Sequence, residues 1–324
     1  MNSQQNYCVI KSFPDFNKRG FDMDTYNSQF KTANIIIQAY SKEVSYPEHW
    51  GPLSIKCAFK GKEFYKVNNC NYAVADENYL VINDGNNYSS YIDSVAEVES
   101  FTINFSPSFV KECMESTNET DESLLTNFRD FGNNNNVEII ERRYFHDHSV
   151  SPVIFRMLQL TEEDFNSNQG QIEELYFLLF ERLLHKQKAT LNEVSRVQAV
   201  KKSTQMELYK RLYRAKDYID SCYEEEISIR NLATVCWLNQ SYFLRQFKKY
   251  FRISPLQYIV FKRMEAAKRM LEKDASMPIS EVCTQVGYSD VSSFSKLFKG
   301  FYNSSPEKFK KMHHNKIVNP AWTA

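Results

Sequence analysis

Apolar positions along the chain change their period near residue 160. Before that point they recur every second residue. Ile55, Cys57 and Phe59 alternate, as do Phe101, Ile103 and Phe105, and Tyr79-Leu80-Val81-Ile82 is a short apolar run. Alternation of this kind marks strands. Turn chemistry separates the runs at Lys60-Gly61-Lys62, Asn68-Asn69 and Asp84-Gly85-Asn86-Asn87. The segment from Ile35 to Phe105 therefore predicts several short strands in a sandwich or small barrel. GNNNN at 132–136 predicts a loop.

After residue 160 the period is helical. Ile172, Leu175, Tyr176, Leu179, Phe180, Leu183 and Leu184 fall on one wide apolar stripe. Phe177 and Leu178 widen it beyond what a single contact needs. The stripe has two uses, packing on the β region or a homodimer contact through residues 172–184. A polar, charged span at 185–205 then connects to the last third.

That last third contains an internal repeat. LATVCWLNQSYFLRQFKKYFRISPLQY (232–258) is matched by VCTQVGYSDVSSFSKLFKGFYNSSPEKF (282–309). Phe247-Lys248 pairs with Phe298-Lys299, Pro255 with Pro306, and Tyr258 with Phe309. Each copy predicts a helix, a tight turn and a second helix. In the first, Ile229, Leu232 and Ala233 form the buried side, Asn239 is the N-cap, and Phe243 and Phe247 point inward. In the second, Ile279, Val282 and Cys283 play the first part, and Gly287 takes the left-handed turn. Ser289 is then the expected cap, with Phe294 and Phe298 inward. Ser254-Pro255 starts a connecting helix that continues through Ile259, Arg263, Met264, Ala267, Met270 and Leu271. At about 20 residues it is roughly 30 Å long, close to the ~34 Å between successive major grooves on one side of DNA. Paired helices of this kind make helix-turn-helix motifs, whose second helix enters the major groove.

With these motifs in view, residues 210–312 resemble the C-terminal DNA-binding domain of the AraC/XylS family of bacterial transcription regulators. The residues that carry the resemblance are Leu232-Ala233, Tyr242-Phe243, Arg245, Phe247-Lys248 and Ser254-Pro255, then Ile279, Val282, Val286-Gly287-Tyr288, Asp290, Phe294, Phe298-Lys299 and Pro306. GKEFYKVNNCNYAVADENYLVIN (61–83) is similar to the jelly-roll, cupin-like sensor domain that many members carry. The implied organisation is a β-rich regulatory domain at 1–160 and a helical dimerisation and linker segment at 161–208. An all-α DNA-binding domain at 209–312 and a tail at 313–324 complete it. Arg252 and Asn303 depart from the family's usual glycine, and asparagine tolerates left-handed geometry better than arginine does. By the family pattern Ser241, Leu244 and Arg245 read bases in the first motif, and Ser292, Ser295 and Lys296 in the second. Arg245 has the chemistry for a bidentate contact to guanine, and Leu244 for a thymine methyl. Lys248, Lys249 and Lys299 are assigned to phosphates. The implied partners are double-stranded promoter DNA, RNA polymerase and a small-molecule effector.

Charge supports this division. Residues 210–324 hold 20 Lys and Arg against 11 Asp and Glu, while residues 1–209 hold 20 against 29. A net charge of zero thus conceals a basic C-terminal third suited to a polyanion. The seven scattered cysteines lack a C-x-x-C pair, which fits reduced thiols in a cytosol. MNSQQNYCVIKSF has neither a basic leader nor an apolar signal core, and no apolar run reaches the ~20 residues of a membrane span. A bacterial cytoplasmic location is therefore expected, with no membrane association.

Candidate chemistry in the β region is sparser. Tyr65, Tyr72, Tyr79, Tyr88 and Tyr91 could line a carbohydrate-type pocket by stacking or serve as packing. His49, His146 and His148 invite a metal reading, but no His-x-His lies on a strand of the Ile35–Phe105 region, and neither a metal nor a cofactor is expected. A metal-dependent jelly-roll enzyme with an accessory nucleic-acid module is the alternative class. It needs an inward constellation of histidines and carboxylates, which the sequence does not supply.

Overall fold

The computed structural model of the 324-residue chain describes residues 6–15, 18–68, 70–118, 138–194, 202–274 and 276–318. The GNNNN stretch and residues 195–201 lie outside them. The chain divides into two compact units, residues 1–213 and 214–324.

The first unit is built on β1 (Asn6–Ile10), β2 (Ala33–Trp50), β3 (Ser54–Phe59), β4 (Lys62–Val67), β5 (Cys70–Ala75), β6 (Asn78–Ile82), β7 (Asn87–Asn104) and β8 (Arg143–Phe145). The short α1 (Met23–Ser28) and a 3₁₀ turn at Gln29–Lys31 lie between β1 and β2. The strand order is β1-β2-β7-β3-β6-β8, with β4 between β5 and β7. β1 and β2 run parallel, and the other pairs are antiparallel. β7 forks: Glu99–Asn104 pairs with β3, and Tyr88–Tyr91 pairs with β4. Register shifts at Ser41/Glu43 and Tyr46/His49 accompany β2 along this forked strand. The expected β-rich architecture is present, although the strand order ends at β1 and β8 and does not close into a ring. In the turn from β3 to β4 the positive φ falls on Lys60 and not on the glycine. Gly61 answers a different need, since a Cβ there would lie 2.5 Å from Val98 Cγ2.

Both faces of the central strands are buried. Ile55, Cys57, Tyr79, Val81, Phe101 and Ile103 pack on one side, and Ala58, Leu80, Ile82, Tyr88 and Val98 on the other. The first side is covered by α2 (Pro107–Asn118), α3 (Ser151–Asp164) and α4 (Gln169–Val194). Here the 172–184 stripe is spent. Ile172, Tyr176, Leu179, Phe180, Leu183 and Leu184 are all buried in this core. Each fully buried large side chain stabilises by about 1.5–3 kcal/mol, so freeing the stripe for a second copy would cost on the order of 10 kcal/mol. That corrects its use as a dimer contact; Phe177, resting on Phe109 at 4.9 Å, is the large apolar side chain of this segment that stays exposed.

Most of the expected connecting span is helical as well. α4 runs to Val194, and α5 covers Lys202–Cys222. In the first unit Arg142 is buried beside the start of α5. It donates to Tyr209 Oη at 2.6 Å, pairs with Glu193 at 3.3 Å, and its guanidinium lies over the rings of Tyr144 and Tyr213.

The second unit is all helix after α5: α6 (Ile229–Val235), α7 (Gln240–Phe251), α8 (Pro255–Lys273), α9 (Ile279–Gln285), α10 (Val291–Tyr302) and α11 (Pro306–Val318). α11 thus carries regular structure beyond residue 312, where a tail was expected.

Candidate nucleic-acid interface and N-terminal cavity

Each motif pairs a seven-residue helix with a twelve-residue one. Leu232 and Ala233 are buried in the first, and Val282 and Cys283 in the second, while Ile229 is only half-buried. The small residue at each crossing lets the next helix approach. Phe243, Phe247, Phe294 and Phe298 are fully buried and fix the inward faces of α7 and α10. With these faces fixed, the rotation of each helix is set and the opposite side must face out.

Helix starts explain the rest of the local structure. Asn239 Oδ1 accepts from the Tyr242 N–H at 2.8 Å, as the sequence suggests. In the second motif the cap is Asp290 and not Ser289. Its carboxylate accepts from the N–H groups of Ser292 and Ser293 at 3.3 and 2.7 Å. α10 begins at Val291, so a cap must sit at 290, and a carboxylate there also meets the positive end of the helix dipole. Hydrogen bonds from Ser293 and the flanking N–H groups hold the Asp290 carboxyl below its ordinary value. Ser254 opens α8 with a full capping box: its Oγ accepts from the Gln257 N–H, and Gln257 Oε1 accepts from the Ser254 N–H. The 19 residues of α8 span about 28 Å.

Gly287 has φ +82°, and a Cβ would lie 2.3 Å from the Glu224 carbonyl oxygen. No other residue fits there without displacing backbone. Arg263 on α8 secures the same place. Its Nη1 donates to the Gly287 carbonyl at 2.9 Å, Nε to Tyr223 O at 2.7 Å and Nη2 to Glu225 O at 2.8 Å. Arg252 and Asn303, the two departures from glycine, both adopt left-handed geometry, with φ 62° and 53°.

The side chains assigned to DNA stand on the outward faces. Ser241, Leu244 and Arg245 are exposed on α7, with Lys248 and Lys249 in its last turn. Ser292, Lys296 and Lys299 are exposed on α10, and Ser295 is half-buried. The Arg245 guanidinium lies 5.4 Å from the centre of the Tyr242 ring, a cation–π contact within α7.

The tyrosines of the first unit separate. Tyr65 and Tyr88 line a cavity that is partly open to solvent. Tyr72 and Tyr79 are buried in the packed cores, and Tyr91 is half exposed, stacked on Phe64 at 4.9 Å. The cavity also brings together residues the sequence pattern left unassigned: Lys56 from β3, Glu63 from β4 and Asn27 from α1. Lys56 Nζ donates to Tyr88 Oη at 2.7 Å. Burial pushes the Lys56 ammonium down and the Glu63 carboxyl up, each opposed by the other's charge. Burial also holds the His49 imidazole down at about 4, despite its bond to the Pro47 carbonyl, so it is neutral near pH 7. Of the other metal candidates, His146 lies against Ser151, and no group of three or more His, Cys, Asp and Glu suited to a metal occurs among the described residues.

Comparison with known proteins meets this geometry. The family model described as a helix-turn-helix domain matches residues 232–312. The probable transcriptional regulator LumQ of Photobacterium leiognathi is 35% identical over 29% of this chain and 38% of its own length. The Msm operon regulatory protein of Streptococcus mutans is 33% identical over 32% and 36%. The lactose operon transcription activator of Staphylococcus xylosus is 31% identical over 33% and 38%. The chain therefore spans less than two fifths of the length of these relatives. Among solved structures, the DNA-binding domain of AdpA in complex with a target DNA is 21% identical over 34% of this chain and 96% of that one, with a TM-score of 0.32. The C-terminal unit carries a helix-turn-helix domain of the AraC type. Among the described residues no helix is long and apolar enough to cross a membrane.

Proposed function

We propose that the protein is a sequence-specific regulator of bacterial transcription that binds promoter DNA with α7 and α10 in successive major grooves. The observation that carries this reading is the duplicated motif. Two helices have their inward faces fixed by paired phenylalanines, polar and basic outward faces, and a capped connector of matching length. Ser241, Leu244, Arg245, Ser292, Ser295 and Lys296 read base edges, and Lys248, Lys249 and Lys299 meet phosphates. Bound at a promoter in the cytoplasm, the protein recruits or blocks RNA polymerase, and no bond is made or broken.

Residues 1–160 form the sensing part, 161–208 the connection, 209–312 the DNA-binding part and 313–324 a tail, although α5 and α11 run across two of these boundaries. A small effector in the cavity shifts the population of the DNA-competent arrangement. Dimerisation through residues 172–184 is left out, because those side chains are spent on the core.

Selection of bound sequences from random DNA by the purified full chain tests the reading. The expected product has two enriched blocks whose centres lie about 10 base pairs apart. A single block, or no enrichment over input, would overturn it.

A further inference from the structure

The two copies of the motif differ at one place where their comparison isolates a single hydroxyl. Tyr258 and Phe309 hold matching positions, each the fourth residue of its helix, α8 or α11. The N–H of each donates to the carbonyl of the serine before the helix proline, Ser254 or Ser305. Each ring also packs on an inward phenylalanine of its motif, Tyr258 on Phe247 at 6.2 Å and Phe309 on Phe298 at 5.5 Å. The second copy makes this packing without a hydroxyl, so packing does not account for the one in the first. The Tyr258 hydroxyl donates to Asp220 Oδ1 on α5 at 2.7 Å.

Asp220 is a buried carboxylate that gathers donors from two helices. Lys216, one turn back on α5, donates to its Oδ2 at 2.9 Å, and its ammonium lies 5.3 Å from the centre of the Tyr258 ring. Lys262, one turn beyond Tyr258 on α8 and itself buried, stands 3.8 Å from Asp220 Oδ1 and 3.4 Å from Glu265. A buried ion pair contributes little net stability, because lost hydration offsets the attraction, and apolar side chains of similar size hold helices together as well. Apolar packing does not supply a unique register, since repacked cores lose uniqueness before they lose stability. The cluster around Asp220 therefore serves to pin one rotation and one height of α8 against α5. Arg263, the next residue along α8, adds bonds to the carbonyls of Tyr223 and Glu225 just beyond α5.

α7 takes its position from α8 through Phe247, which is fully buried and lies two residues from Arg245. A bidentate contact to a base needs its side chain held to within about 0.5 Å. We propose that Asp220 is a positioning residue for base recognition. Through the Tyr258 hydroxyl it sets the pose of α7, and with it the reach of Arg245. α10, whose partner Phe309 has no hydroxyl, is set without such a bond. The proposal rests on the DNA-binding reading of α7, and it adds a buried residue on which the specificity of that helix depends.

Tyr258→Phe in the full chain tests it, and Phe309 shows that phenylalanine fits the place. Selection from random DNA by the wild type gives two blocks, and Arg245→Ala marks the one that α7 reads. Binding is then measured on duplexes carrying single changes in each block, with circular dichroism and denaturant unfolding to establish that each variant is folded. Tyr258→Phe should lose about three- to tenfold in discrimination at the Arg245 base pair, roughly the worth of one hydrogen bond, and keep that of the other block. Its affinity for random duplex DNA and the salt dependence should match the wild type, because phosphate contacts carry both. In an Arg245→Ala background Tyr258→Phe should cost nothing further at that base pair, since residues that act through one another are not additive. Equal losses in both blocks, a loss that adds to that of Arg245→Ala, or a folded variant with unchanged discrimination overturns the proposal and leaves the DNA-binding reading standing. A wild type that selects fewer than two blocks overturns both.

Discussion

At matching places in the two motifs stand Trp237 and Gly287, and both take positive φ, 55° and 82°. Their surroundings are opposite. The Trp237 side chain is 72% exposed, whereas Gly287 is pressed against the Glu224 carbonyl and held by Arg263. The same backbone turn is thus made once where a side chain has room and once where it has none. The first motif tolerates a strained residue because only its backbone dihedral is unfavourable. The second has both the dihedral and the packing against it. A related contrast runs between α7 and α10, since the place held by Arg245 in the first motif is held by Lys296 in the second. A fork of donors that matches guanine faces a point charge that does not.

The largest test of this contrast is Gly287→Ala, which should destabilise the protein by about 3 kcal/mol or more, because a left-handed alanine must also displace backbone. Denaturant unfolding checks it, and wild-type stability would remove the close-packing argument. Next in size, Arg245→Ala should lose about 1–3 kcal/mol of discrimination at one base pair. Lys296→Ala should lose less, which repeated selection from random DNA would show. Arg252→Gly should stabilise by about 1 kcal/mol by relieving a left-handed arginine, with a smaller gain for Asn303→Gly; equal gains would mean that the two helix ends carry the same strain. The smallest effect belongs to Lys299→Ala. It should weaken binding to all sequences alike and reduce the slope of log affinity against log salt by about one.

Much of the second unit was legible because local chemistry decides it. Four phenylalanines at helical spacing, Asn239 and Ser254 as caps and a lone turn glycine are each read within a few residues. The misplaced cap arose at Ser289-Asp290, where two capping residue types are adjacent and only the first helical residue, Val291, settles the choice. The first unit was less legible because its strands answer to partners far along the chain. β1 and β8 are five and three residues long, and they exist by pairing with β2 and β6. Lys56 falls on the opposite face from Ile55 and Cys57, which alternation alone would give to solvent. That face is covered instead, because β7 forks and brings β4 and β5 over it. A usable signal existed in the apolar run Tyr79–Ile82, which has no polar face at all, so its neighbour β3 could not have one either. The 172–184 stripe was legible as a helix, and only the presence of the sheet face decided what it covers.

Arg263 bears on how the domain comes apart. Its three donors tie α8 to the segment after α5 and to the turn of the second motif. On the other side, Tyr258 of the same helix packs against Phe247 of the first motif and donates to Asp220 at 2.7 Å. In a linear array of repeats each unit opens almost independently of the next. This duplicated pair has lost that freedom, since neither copy can melt without stripping contacts from a helix the other needs. Amide protons of α7 and α10 should therefore exchange through one shared opening, so that the domain meets heat, and any protease, as a single all-or-none body.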